Sequence, residues 1–137
     1  MNFRPHAFPV SVKGVVFREG RVLLLRNERD EWELPGGKLD LGEDPATCVV
    51  REIVEEVGWD VTIGPILDAW QYHIHDGVDV LIVTYGCHLT AEADPVVSHE
   101  HEEAGLFTVE EAATLPMPEG YQRSIKAWYA SLQDSSR

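Results

Sequence analysis

Positive charge, cysteine and long apolar runs are all in short supply in this sequence, and each shortage narrows what the chain can be. Lys and Arg number 11 against 24 Asp and Glu, for a formal net charge of −13. A surface that acidic repels a phosphate backbone and an anionic bilayer, so binding to a nucleic-acid polymer or a membrane is not expected. A small polyphosphate remains compatible, provided that bound cations stand between it and the carboxylates. No stretch approaches the roughly 20 apolar residues that a spanning helix needs. Met1 to Val10 carries Arg4 but no apolar segment long enough for a secretory signal.

Cys48 and Cys87 lie far apart, outside any CxxC or zinc-type spacing. They read as two reduced, packed thiols, which points to a reducing, cytoplasmic compartment. Internal repeats, low-complexity tracts and linkers are also missing. Residues 1–137 therefore read as a single domain, long enough to bury a real core.

What is present is an orderly alternation of strand and helix signals. Ser11 to Phe17 and Arg21 to Arg26 are β-rich runs, with Arg18-Glu19-Gly20 between them as a hairpin. Asn27 to Gly42 mixes charge, Pro and Gly and reads as a long functional loop. Asp44 offers an N-cap and Pro45 the first helical position, so a helix runs to about Val57 with Gly58 as its stop. Val61 to His75 and Val78 to Thr90 read as strands joined at Asp76-Gly77.

Ala91 to Glu103 is polar and acidic, hence a loop, and Leu106-Phe107 suits a short strand. Thr108 with Glu111 makes a capping box for a short helix through Ala113. A final helix spans about Tyr121 to Leu132, with Ile125, Trp128, Tyr129 and Leu132 on its inner face. Strands and helices mixed in this way predict an α/β fold, a sheet flanked by helices.

The helix after Asp44 carries the chemistry. At about 100° per residue, Ala46, Val49, Val50, Ile53 and Val57 form one apolar stripe. Glu52, Glu55 and Glu56 fall together on the other side, where like charges repel by a few tenths of a kcal/mol per pair. Arg51 offsets only part of that charge. A hard divalent cation removes the conflict, because Mg2+ or Mn2+ takes carboxylate oxygens together with substrate phosphates. Read alone, the three glutamates also suit a solvated acidic face. The preceding Leu34-Pro35-Gly36-Gly37 tips the balance, since paired glycines let backbone approach a ligand closely.

Together these residues read Gly37-x5-Glu43-x7-Arg51-Glu52-Ile53-Val54-Glu55-Glu56-Val57-Gly58-Trp59, preceded by Trp32-Glu33-Leu34-Pro35-Gly36-Gly37. This pattern closely resembles the signature of the Nudix hydrolases and its usual lead-in. Trp59 departs from it, standing where an aliphatic residue is usual, but costs no ligand. The resemblance implies a Nudix-type α/β/α sandwich with a mixed sheet between helices. It also implies a MutT-like enzyme that hydrolyses a nucleoside diphosphate linked to a further group.

Carried onto matching positions, the resemblance makes Glu52, Glu55 and Glu56 metal ligands, with the Gly36 carbonyl as a further candidate. The metal would be Mg2+, or Mn2+ in its place. Arg51 would orient the carboxylates and Glu43 would support them from behind. Family members draw their general base either from the first glutamate, here Glu52, or from a later loop. His99-Glu100-His101-Glu102-Glu103 offers such a loop, with Glu100 the favoured base or extra ligand and Glu103 next. His99 and His101 lack the matched ligand set that zinc would need.

Arg26 and Lys38 stand where related enzymes contact substrate phosphates. Trp32, Trp70 and Tyr72 are candidates to stack on a base, with core packing preferred for Trp70. His73 and His75 read as ordinary surface or packed histidines. The family's markers for ADP-ribose and for dinucleoside polyphosphates, a Pro and a Tyr, would fall at Ile74–His75 and Asp76–Gly77, and neither is there. Nucleoside triphosphates, ordinary or oxidised, become the default substrate. ADP-ribose or a nucleotide sugar is the alternative. A non-catalytic nucleotide sensor is another, although such modules commonly lose carboxylates that are all present here. Homodimers are frequent in the family.

Overall fold

The computed structural model describes residues 7–91, 94–95 and 103–135. Its strands are β1 (Val10–Arg18), β2 (Arg21–Arg26), β3 (Trp32–Glu33), β4 (Gly36–Lys38), β5 (Asp60–His75), β6 (Val78–Ala91) and β7 (Glu103–Phe107). Its helices are α1 (Pro45–Val57), α2 (Val109–Ala112) and α3 (Glu119–Ser135). Among the described residues none of the helices is long and apolar enough to cross a membrane.

The strands form one mixed sheet in the order β3-β2-β1-β6-β5, with β4 on β1 and β7 on β2. β1 and β6 run parallel, whereas the other pairs are antiparallel. The outer edge of β1 is shared. Phe17 and Arg18 pair with β2, whereas Ser11 to Lys13 pair with β4. β2 therefore diverges from β1, and the segment from Trp32 to Lys38 fills the opening.

Strand alternation sorts β1 and β2 between two cores. Val12, Val16, Leu23 and Leu25 face α1 and pack with Cys48, Val49, Ile53, Val57 and Trp59. Val15, Val22 and Leu24 face the other way, onto Ala112 of α2 and Tyr121, Ile125 and Trp128 of α3. The sheet thus lies between helices, as expected. Val49 and Ile53 are fully buried, and each such side chain contributes about 1.5–3 kcal/mol of hydrophobic stabilisation. Trp59 is fully buried in the α1 core, where its indole Nε1 finds no hydrogen-bond partner among the described residues.

Local rules set most boundaries. Glu19 (φ 50) and Gly20 (φ 80) both take positive φ, the two-residue turn that suits a twisted hairpin. α1 starts with Pro45 and stops at Gly58, whose φ of 72 and N–H to the Val54 carbonyl close the helix. Asp44 has cap backbone geometry, but its side chain accepts no capping hydrogen bond. The Thr108–Glu111 capping box forms as expected, and α2 ends at Ala112 with Ala113 as its C-cap.

Three expectations need correction. Asn27 to Gly42 is not one loop but contains β3 and β4, both too short to show a period, the first held by adjacent β2 and the second by β1. The last helix is longer than expected, starting at Glu119 and running to Ser135. The strand that includes Leu106 and Phe107 begins at Glu103, because Arg26↔Glu103 extends its pairing with β2.

Candidate active site

α1 presents its acidic residues to β4, and the two elements meet through glycine. Gly36 lies opposite Lys13 of β1 in the ladder, at a φ of 145 that a side chain would resist. Its N–H donates to Glu56 Oε1 at 2.7 Å. Gly37 is closer still to the helix: a Cβ there would come within 2.5 Å of Glu52 Oε2. The Gly36-Gly37 pair is thus the surface against which two of the three glutamates lie.

The glutamates are not equivalent in burial, which counts against the alternative of a uniformly solvated acidic face. Glu56 is only 5% exposed, because β4 covers the last turns of α1 and supplies a backbone donor to the buried carboxylate. Glu52 is half-buried against Gly37, and Glu55 is exposed.

Arg51 organises the outer two. Its Nη1 donates to Glu52 Oε1 and to both Glu55 oxygens, each at 3.1 Å. Its Nε and Nη2 grip Glu43 in a fork, at 2.7 and 3.0 Å. Such bidentate, charge-assisted pairs fix geometry as well as charge. Hydrogen bonding from Arg51 pulls the Glu43 pKa down from 4.5 to about 2, and the same carboxylates raise that of Arg51. Glu43 therefore stays ionised and anchors Arg51 from the loop side. Cys48, buried below, donates its thiol to the Lys38 carbonyl at 3.5 Å and props the strand after the glycines.

The donors fit a hard divalent cation. They are all oxygens, they lie on adjacent helical turns, and a backbone without side chains faces them. Among the described residues no group of three ligands already converges. The hydrogen bonds explain this: Arg51 draws Glu52 and Glu55 outward, while Gly36 holds Glu56 inward.

The remaining expected residues are dispersed. Arg26 sits between two carboxylates, Asp30 Oδ1 at 2.7 Å and Glu103 Oε1 at 2.8 Å, so its guanidinium is engaged. Glu103 is accordingly half of an ion pair on β7. Lys38 is exposed at the end of β4. Glu100, with His99, His101 and Glu102, lies outside the described residues. Trp32 is buried edge-on to Phe107 and is core. Trp70 packs edge-on to Tyr72 and Tyr121, each with centroids 5.5 Å apart. His73 is an exposed partner of Asp79 at 2.9 Å.

Two residues escaped the sequence reading, Lys13 and Glu33. Lys13 is 8% exposed in the middle of β1, and Glu33 Oε1 lies 3.9 Å from its Nζ. Both line a cavity of about 130 Å3 on the sheet face away from α1, together with Ser11, Asn27, Tyr72 and Tyr121. The available signal was a lone lysine inside the apolar run Val10 to Phe17, a charge with no exposed face to occupy.

Comparison with known proteins agrees with this geometry. The NUDIX domain family model matches residues 7–129. The putative ADP-ribose pyrophosphatase YjhB of Bacillus subtilis (strain 168) is 46% identical over 65 residues, 47% of this chain and 31% of the relative. The chain thus spans under a third of that relative's length. The CTP pyrophosphohydrolase of Escherichia coli (strain K12) is 27% identical over 111 residues, 77% of this chain and 80% of the relative. The crystal structure of a MutT NUDIX hydrolase from Burkholderia pseudomallei superposes with a TM-score of 0.72 at 26% identity, covering 89% of this chain and 98% of that one. With the sheet between its helices, the glycine pair and every carboxylate of the motif in place, the chain belongs to the Nudix family and is of its MutT-like type.

Proposed function

We propose that this protein is a divalent-metal-dependent hydrolase that cleaves a diphosphate linkage in a nucleoside diphosphate bearing a further group, with nucleoside triphosphates as its preferred substrates. The observation that carries the reading is the contact of Glu52 and Glu56 of α1 with the Gly36-Gly37 backbone, with Arg51 bridging Glu52, Glu55 and Glu43. The triphosphate preference is supported by the likeness to the CTP pyrophosphohydrolase along most of both chains. The competing reading, ADP-ribose or a nucleotide sugar, is favoured by the higher identity to YjhB over a shorter stretch.

Glu52, Glu55 and Glu56, with the Gly36 carbonyl, would hold Mg2+ or Mn2+, which when bound would supply positive charge against the diphosphate and acidify a water. Arg51 fixes the outer carboxylates while Glu43 fixes Arg51, so the donors keep their places as substrate arrives. Lys38, exposed beside the glycines, contacts phosphate. Arg26 must give up an ion pair to do the same. Glu52 or Glu100 removes the proton from water. Cys48 and Cys87, both free and buried, suit a reducing cytoplasm, and the charge of −13 suits a small substrate rather than a nucleic-acid polymer.

Hydrolysis of a nucleotide panel, with Mg2+ and with a chelator, tests the proposal. Turnover requires metal and falls by at least about 100-fold in Glu52→Gln. Metal-independent turnover, or none on any member of the panel, overturns it.

A further inference from the structure

Lys13 is a buried cation on a central strand, a costly placement unless something uses it. Its side chain is 9% exposed, and its ion pair with Glu33, at 3.9 Å, is longer than a hydrogen bond. The residue stands between the cavity, which it lines, and β4, which lies against the glutamates of α1.

Its position connects the two. The Lys13 stem runs across Gly36, where a Cβ would meet its Cδ at 3.0 Å, and the residue lines the cavity on the far sheet face. Beside it, Glu33 Oε2 accepts from Asn27 Nδ2 at 3.2 Å, which fixes the carboxylate in place. Tyr72 and Tyr121 add aromatic walls. A planar ring entering this cavity meets an obligate donor next to an obligate acceptor.

We propose that Lys13 and Glu33 select the base of the substrate by its edge, Lys13 donating to a keto oxygen and Glu33 accepting from the adjacent ring N–H. This edge belongs to guanine, hypoxanthine, uracil and thymine. Adenine and cytosine offer an exocyclic amine beside a ring nitrogen. Their amine is a weaker donor to a carboxylate than an acidic ring N–H, and a ring nitrogen is a poorer acceptor from an ammonium than a carbonyl. The inference rests on the nucleotide-hydrolase reading and deepens it, assigning specificity to residues outside the metal motif.

The test has two arms. In the first, kcat and KM are measured with Mg2+ for GTP, UTP, ATP and CTP. The keto bases lead by at least about tenfold in kcat/KM, chiefly through KM. The variant Lys13→Met with Glu33→Gln, which removes the buried charges together, loses that lead. In the second, tryptophan fluorescence follows binding of GMP, UMP, AMP and CMP without metal, so the preference is read without turnover.

Preference for adenine or cytosine, no base preference, or a preference that survives in the double variant overturns the inference. Should the double variant fail to fold, the wild-type preference decides alone. Failure of hydrolysis on every nucleotide, with the binding preference intact, sinks the enzymatic reading and leaves the base selection standing.

Discussion

Gly37 lies so close to Glu52 that a Cβ on the glycine would stand 2.5 Å from the carboxylate carbon. The clash is with the end of a flexible side chain, and Gly37 is not at positive φ. Gly37→Ala should therefore move Glu52 rather than strain the backbone. The expected result is a melting free energy within about 1 kcal/mol of wild type and a fall in kcat of about 100-fold, as for a reacting group displaced by an ångström. Unfolding curves and steady-state kinetics on the same preparation check both. Unchanged kcat would show that the Glu52 position is not critical.

Glu56 has a structural duty distinct from any catalytic one, because it satisfies the buried N–H of Gly36. Glu56→Gln keeps an acceptor there, whereas Glu56→Ala leaves the donor unpaired. The alanine variant should be less stable than the glutamine variant by about 1–3 kcal/mol in denaturant titrations. Both should be inactive. Equal stability of the two would mean that the Gly36 bond contributes nothing.

Arg51 makes a two-pronged grip on Glu43 and reaches Glu52 and Glu55 with its remaining nitrogen. Lysine, a single point of charge, cannot reproduce that fork. Arg51→Lys should lower activity by about 10–100-fold and raise the metal concentration for half-maximal rate. A wild-type metal dependence in this variant would remove Arg51 from the organising role.

The depressed Glu43 pKa has a signature in acid. A carboxyl at 4.5 in the unfolded chain and about 2 in the folded one stabilises the fold fully above pH 4.5. That contribution fades as pH falls from 4.5 towards 2. Glu43→Gln lacks it, so the stability gap between wild type and variant should be widest above pH 4.5 and close towards pH 2. Chemical denaturation across that range reads the gap directly, and one that does not change with pH contradicts the assignment.

The sequence disclosed what short-range rules control. Pro45, the 3.6-residue apolar spacing and Gly58 define α1 by themselves, and Glu19-Gly20 defines its hairpin. β3 and β4 were hidden because two or three residues carry no period, and Gly36-Gly37 has low strand propensity. Only pairing with Ser11 to Lys13 makes that segment a strand. The same strand buries Glu56, which helical geometry alone sets beside Glu52 and Glu55, opposite the apolar stripe. The metal-binding face was thus legible as a set of residue types. Its division into a buried, a half-buried and an exposed carboxylate depended on a distant partner. Lys13 was missed for the same reason, since its compensating charges come from β3 and α1.

Loading of Mn2+ followed by electron paramagnetic resonance probes the acidic face most directly. The wild-type protein should bind Mn2+ and shift its spectrum when a nucleotide is added, while Glu52→Gln combined with Glu56→Gln should bind it far more weakly at unchanged fold. Equal Mn2+ binding by the wild type and the double variant would contradict a metal centre built on α1.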